Sequence, residues 1–392
     1  MNKKRTNAPA SGKGDPQLAT EQFSELNATF YSSAPHDYLR ARMQSIAFTL
    51  TDAAEAEQIL QAEPQIGSLF GGPSARLPEE ARLRFGSMES TVLLHHAGES
   101  LLRLWLAHRD SPPCPWLKVA GLRNGRKLKE EAEELARKST SAFNRGTIAA
   151  VFLGGRTIEE SGIEAEDDVW NDSIDGLIEL LRAVADRFTS ESEMYNAVKH
   201  GLVGIPANHG DFTVNGLRVA GGAGITYLQS VPEDERYPSG ERSWWATTGF
   251  IGIESNILLV ELTTRAIHSL WNVGRRARVG IPGEIALVTR DEVFTGLAAS
   301  YLADKRLLSD ISQKLPTYTY GDSGKRALSN ASVRPNAIRL GVDVLEAHDR
   351  LNGSAPSTTF LELPLRERDR RIPSGTGDRR FFHFSPSGGP GI

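Results

Sequence analysis

Residues 88–108 read MESTVLLHHAGESLLRLWLAH, and the spacing of their apolar side chains decides how the chain folds. At about 100° per residue, Leu94, Ala97, Leu101, Leu104, Trp105 and His108 fall on one face with Leu93 beside them, while Glu89, His96, Ser100 and Arg103 fall opposite. This is the pattern of a long amphipathic helix within a region that turns helical near Arg82. Ser111-Pro112-Pro113 ends it, because proline removes a backbone donor and clashes with the preceding turn. Downstream, Lys127–Phe143 sets Glu130, Glu131, Glu133 and Glu134 against Lys127, Lys129, Arg137 and Lys138, the alternating charge of an exposed helical surface. A third helix is predicted from about Asp168 to Phe188, with Trp170, Ile174, Leu177, Ile178, Leu181 and Val184 as its stripe.

The period then changes. Ser190 with Glu193 reads as a capping box, hydroxyl and carboxylate satisfying each other's orphan amides, and opens a short helix that carries Met194, Ala197 and Val198 and stops at Gly201. Phe212–Val219 is two alternating runs joined by Asn215-Gly216, a hairpin signal because a type I′ turn needs positive φ at both central residues. Ile225–Val231 and Ser243–Ile251 read as further strands, giving a small antiparallel sheet inserted at about 204–252. Helix returns at Ile253–Arg276, with Ile257, Val260, Thr264, Ile267, Leu270 and Trp271 as its stripe. After Pro282, a short strand at Ile285–Val288 and a helix opened by Thr289 with Glu292 begin an α+β C-terminal subdomain.

The expected fold is therefore mainly α: a helical bundle over 82–280 interrupted by a small antiparallel β-sheet, with an N-terminal segment at 21–81 and the α+β subdomain at 281–363. Residues 1–20 hold Lys3, Lys4, Arg5 and Lys13 among Asn, Gly, Pro and Ser, and are expected to be a disordered basic arm. Residues 364–392 carry Arg366, Arg368, Arg370, Arg371, Arg379 and Arg380 and are expected to be an Arg-rich tail, with Phe381, Phe382 and Phe384 able to dock it. No period of 20 to 50 residues repeats, which excludes solenoids and propellers.

Of the 392 residues 39% are apolar, and 45 Lys plus Arg stand against 49 Asp plus Glu, for a net charge of -4. The body as a whole is not a cationic surface for nucleic acid, so any such site is local. One cysteine, Cys114, excludes an intrachain disulfide and multi-cysteine zinc spacings, and a reducing, cytoplasmic setting is expected. The basic start lacks the apolar segment of a signal peptide, and no run approaches 18 apolar residues, so no membrane span is expected.

Chemistry concentrates at Tyr195-Asn196-Ala197-Val198-Lys199-His200. Asn196 and His200 lie four residues apart on one face of the short helix, near a C-terminus whose dipole favours a protonated imidazole, while Lys199 pulls the other way. A histidine poised near neutrality exchanges a proton with a ribose hydroxyl or a leaving oxygen, and an asparagine orients the phosphate or the imidazole. The same spacing also fits two residues that simply hydrogen-bond the loop starting at Gly201.

This segment resembles the signature of the HEPN superfamily, helical nucleotide-binding domains of many bacterial toxin and phage-defence proteins, whose hallmark is Arg, often then Asn, with His several residues later. Asn196 and His200 match, and Tyr195 stands where the arginine would be. The order of helices over Arg82–Arg278 is similar as well. The resemblance implies a metal-independent endoribonuclease without cofactor, in which paired domains of a homodimer place two motifs around one RNA phosphate. His200 would be the acid/base, Asn196 the orienting group and Tyr195 a neutral hydrogen-bond donor, with Lys199, Arg265 and His268 as binding residues. Losing one transition-state charge donor typically costs on the order of 10²- to 10³-fold in rate, and Tyr195 brings no charge. The competing expectation is therefore a noncatalytic helical scaffold that dimerises or joins a complex. Arg187 and Arg265 are the candidate substitutes for the missing cation.

Other patterns carry less. Glu254, Glu261, Arg265, His268 and Asn272 share an arc of the last helix, read as a solvated face with a Glu261–Arg265 ion pair or as a cleft lining. His95, His96 and Glu99 share metal-like spacing, but no Glu-x-x-His pair completes a carboxylate site, so no metal is expected and His96 is expected to be exposed. Gly221–Gly224 and Gly321–Arg326 miss the phosphate-loop pattern and read as turns. Trp244-Trp245 puts one ring on each side of the sheet, one toward the core and one free for stacking or a partner. Cys114 has no histidine nearby in sequence and is not read as a nucleophile.

Overall fold

The computed structural model describes residues 22–51, 58, 65–66, 69–70, 77–122, 125–199, 203–214, 217–232, 242–304, 308–315, 331–335 and 358–371. The chain opens with α1 (Gln22–Phe30) and α2 (Pro35–Leu50), followed by a minimal hairpin of β1 (Gln65–Ile66) and β2 (Leu69–Phe70). Then come α3 (Glu79–His108), α4 (Pro115–Gly121), α5 (Gly125–Arg137), α6 (Arg145–Phe152), α7 (Ile158–Ser161), α8 (Asp167–Ser190) and α9 (Ser192–Lys199). Strands β3 (Gly204–Val214), β4 (Leu217–Pro232) and β5 (Arg242–Phe250) precede α10 (Ile253–Val279). The remainder is β6 (Gly283–Ala286), α11 (Arg290–Asp304), β7 (Leu308–Lys314), β8 (Ala331–Pro335) and β9 (Phe360–Leu363).

The stripe that opened the sequence is the inner face of α3: Leu93, Leu94, Ala97, Leu101, Leu104 and Trp105 are all buried. Each large aliphatic side chain so enclosed contributes about 1.5–3 kcal/mol. Gly98 lets α8 approach, since a Cβ there would lie 3.0 Å from Val184 Cγ1. α10 is the central helix, packed on α3, on α11 and on β6, with Leu259, Val260, Ile267, Leu270 and Trp271 in the same core as the α3 stripe.

The inserted sheet is antiparallel, in the order β3-β4-β5-β7-β8. Val214 pairs with Leu217, as a two-residue connection at 215–216 requires. Ile225 on its inner face joins Met194, Val198 and Ile251 in a second small core, and that core seats α9. Glycines make the approach close: a Cβ at Gly249 would meet Met194 Sδ at 2.7 Å, and one at Gly204 would meet Val198 Cγ1 at 3.1 Å. The other face leaves Ile205, Leu228 and Trp244 exposed. Neither tryptophan of the Trp244-Trp245 pair enters the core, since Trp245 is half-buried with its indole N–H on Ser243 Oγ.

Several expectations change. The box at Ser190 does not open a new helix, because α8 continues through Ser190 and the break falls at Glu191. An Arg187–Glu191 ion pair of 2.8 Å ties that last turn together. The charged helix ends at Arg137, and a separate helix, α6, follows, with Asn144 Oδ1 accepting from Thr147 N at its start. Gly221–Gly224 is not a turn but lies inside β4, with Gly222 at φ +82° opposite His209. Gly321–Arg326 lies outside the described residues.

The described pieces of 281–363 are divided between the two cores. β7 and β8 extend the inserted sheet, whereas β6 pairs with β9, and Ile285, Val288, Val293 and Leu363 join the main core. The Thr289–Glu292 box forms as expected: Glu292 N donates to Thr289 Oγ1 at 3.2 Å, and Thr289 N donates to Glu292 Oε2 at 2.8 Å. The Arg-rich segment begins docked rather than as a free tail, because Asp369 is buried between Arg366 and Arg276. Residues 1–20 and 372–392 lie outside the described residues. No described helix is long and apolar enough to cross a membrane.

Candidate functional site

α9 places Met194, Ala197 and Val198 inward and leaves Tyr195, Asn196 and Lys199 on the opposite side. This is the 3.6-residue period at work on eight residues. The helix lies against α3 at the level of His95 and His96, so Tyr195 meets two histidines from 99 or more positions earlier. His200, the last residue of the motif, lies outside the described residues.

The Tyr195 ring stacks on the His95 imidazole, with centroids 4.4 Å apart and planes 6° from parallel. His95 is buried and neither ring nitrogen has a hydrogen-bond partner. Burial first, then the Arg187 and His96 charges, push it down to about 3, with the Glu191 backbone acting the other way. It is a neutral packing group.

His96 is half-buried rather than exposed as expected, because it bridges two helices. Its Nδ1 lies 2.7 Å from Arg42 Nη1 on α2, and its Nε2 lies 3.1 Å from the Tyr195 hydroxyl. A guanidinium only donates. His96 therefore accepts at Nδ1, carries its proton on Nε2 and donates that proton to the Tyr195 oxygen. Burial and the Arg42 charge lower its pKa, consistent with this neutral tautomer. The Tyr195 pKa is raised, chiefly by burial and then by Glu99, so the phenol stays protonated with its own O–H available for an outside acceptor.

Lys199 Nζ donates to Asn196 Oδ1 at 2.7 Å and stands 5.2 Å from the centre of the Tyr195 ring, a cation–π contact. With its oxygen occupied, Asn196 has its amide N–H₂ left to donate. The surface of α9 thus offers a phenol O–H, an amide N–H₂ and an ammonium side by side. Arg42 lies behind them and is held by Glu89 at 2.8 Å.

The other sequence-predicted residues are elsewhere. Arg265 is buried and pairs with Glu292 at 2.8 and 3.0 Å, with a further bond to the Leu287 carbonyl. The expected Glu261–Arg265 pair is replaced because α11 brings Glu292 against that face of α10. His268 sits beside His36 in an open cavity of about 600 Å³. There Asn272 Nδ2 donates to Glu284 O at 2.8 Å and to His268 Nε2 at 3.1 Å, so His268 donates from Nδ1 to His36 Nε2 at 3.1 Å. Arg187 approaches the α9 site from below, but Glu191 and Asn256 take up its guanidinium.

Arg42, His95 and His96 are what the sequence reading of the motif missed. The two histidines carried a signal, their spacing with Glu99, but it suggested metal ligation. In the structure Glu99 turns to Arg103 at 2.6 Å, and no cluster of three metal-ligating side chains forms among the described residues. Arg42 carried no signal at all. Compared with protein-family models, curated proteins and solved structures, the chain gives no match.

Proposed function

We propose that this is a HEPN-like, RNA-directed protein of the cytoplasm whose α9 surface contacts an RNA phosphate. The observation that carries the reading is the convergence of three outward donors, Tyr195 O–H, Asn196 N–H₂ and Lys199 N–H₃⁺, on one short helix. A phosphate is acceptor-only and anionic, so it matches such a set. Arg42, coupled to Tyr195 through His96, supplies positive charge from a different helix where the motif lacks its arginine. His200 is the acid/base: it takes the proton of the attacking ribose hydroxyl, and a proton returns to the leaving oxygen. A homodimer would bring two such motifs to one phosphate.

A noncatalytic scaffold is the second reading, favoured by the stack of Tyr195 on the buried His95, which gives that tyrosine a packing role. RNA cleavage by the chain and by His200→Ala, each with and without EDTA, separates the two. The nuclease reading expects cleavage that survives EDTA and disappears in the variant. Loss of cleavage on chelation overturns the metal-independent mechanism, and cleavage unchanged in His200→Ala overturns the site.

A further inference from the structure

At the far end of α3 and α10, folding leaves three guanidiniums without a carboxylate partner among the described residues around a cavity. α6 ends at Phe152, and Gly154 turns the chain at φ +87°. A Cβ at Gly154 would lie 2.3 Å from Arg276 Nη2, and one at Gly155 would lie 2.2 Å from Ser161 N, so this loop rests directly on what lies beneath it. Beneath it is Arg276, wholly enclosed, donating to Ser161 O at 2.7 Å, Pro364 O at 3.0 Å and Gly154 O at 2.8 Å. Arg366 grips Asp369 at 2.6 and 2.9 Å and also reaches Gly154 O. A single carboxylate, Asp369, thus serves two guanidiniums.

Above this floor opens a cavity of about 470 Å³, inside the range of about 300–1,000 Å³ typical of small-molecule sites. Arg156, Arg278 and Arg368 line it, and among the described residues none of their guanidiniums has a carboxylate partner: that of Arg278 donates to Ser111, those of Arg156 and Arg368 make no hydrogen bond, and Arg156 meets Glu160 through its backbone N–H, at 2.9 Å. The crowding of like charge is felt by Arg276, which burial first, and then Arg366 and Arg368 against Asp369, bring down to about 10. Pro112, Val151 and Val273 add apolar lining to the same cavity. Glu160 in the wall, and Arg109 neutralised by Glu131 at 3.0 Å, leave no continuous cationic track for a nucleic-acid strand.

We propose that this cavity binds a nucleotide, its phosphates held by Arg156, Arg278 and Arg368 and its base and sugar laid against Pro112, Val151 and Val273. Guanidinium forks match phosphate oxygens in pairs, and a ligand with an anionic end and a flat organic end matches both kinds of lining. The site is independent of the α9 reading. From His96 to His108 the two are separated by about 18 Å of helix at 1.5 Å per residue.

Calorimetric titration of the full chain with ATP, pyrophosphate and adenosine tests this, alongside Arg156→Glu, Arg368→Glu and the double variant. Both side chains are exposed and make no hydrogen bond among the described residues, so thermal melting of the variants should match the parent. The expected result is saturable ATP binding, weaker pyrophosphate binding and none for adenosine. Affinity for ATP should fall about tenfold or more for each single change, as loss of a charge-assisted hydrogen bond requires, and further in the double. Absence of ATP binding at millimolar concentration overturns the proposal. So does ATP affinity unchanged in a stably folded double variant, or an RNA oligonucleotide as the only probe whose binding depends on these arginines.

Discussion

Arg276 at the end of α10 and Lys199 at the end of α9 are both cations near a helix C-terminus, where the dipole favours them. Arg276 is enclosed and its donors go to Ser161, Pro364 and Gly154, with Asp369 alongside. Lys199 is exposed and donates to the neutral Asn196 amide beside the Tyr195 ring. The difference separates charges that folding has consumed from charges it leaves for something else. Arg265, locked to Glu292, belongs with the first kind, and Arg156 and Arg368 belong with the second.

The comparison predicts its largest effect at Arg276. Arg276→Met leaves Asp369 buried without that cation and frees three carbonyls, and breaking a buried pair from one side costs about 3–5 kcal/mol. Thermal melting should show that loss, and limited proteolysis should show cleavage opening within 358–371. A variant that melts with the parent would mean that Arg276 does not anchor the segment.

The next effect is a pH dependence set by histidines. Burial lowers His36 and His108 to about 4 and His95 to about 3, all below the unfolded value near 6.5. As pH falls below about 6.5 the unfolded chain takes up protons that the fold refuses, so stability is full above that value and declines from there toward pH 4. His95→Phe keeps a ring on Tyr195 and removes nitrogens that have no partner. It should therefore raise stability more at pH 5 than at pH 7. Equal shifts at both pH values would contradict a neutral, desolvated His95.

The smallest effect sharpens the contrast. Lys199→Ala should change stability by no more than about 0.5 kcal/mol, as for other exposed positions, while weakening RNA binding at low salt.

What was legible in the sequence follows the range of the physics. The α3 stripe, the hairpin pairing Val214 with Leu217, and the Thr289–Glu292 box all rest on contacts within a few residues or on a period that repeats. Gly221–Gly224 misled because glycine signals a turn locally, whereas pairing of Gly222, Ala223 and Gly224 with β3, and of Gly224 with β5, keeps the stretch inside β4 and spends the glycine freedom on the positive φ of Gly222. The candidate site was half legible. Tyr195, Asn196 and Lys199 share a short helix face, but Arg42 reaches His96 across 54 residues and His36 reaches His268 across 232. Arg265 reads as solvated until α11 folds back and presents Glu292 to it. No local pattern encodes these meetings, because the intervening helices must pack before either partner knows of the other.

The central proposal is that α9 is a phosphate-facing surface on which Tyr195 stands in place of the motif arginine, and Tyr195→Arg tests it most directly. RNA cleavage and thermal melting are measured on the same preparation. A guanidinium at this position restores a charged fork, so the account predicts a folded variant with RNA cleavage created or raised above the parent. A stable Tyr195→Arg protein that neither binds nor cuts RNA would contradict it, and would leave Tyr195 as the packing partner of His95.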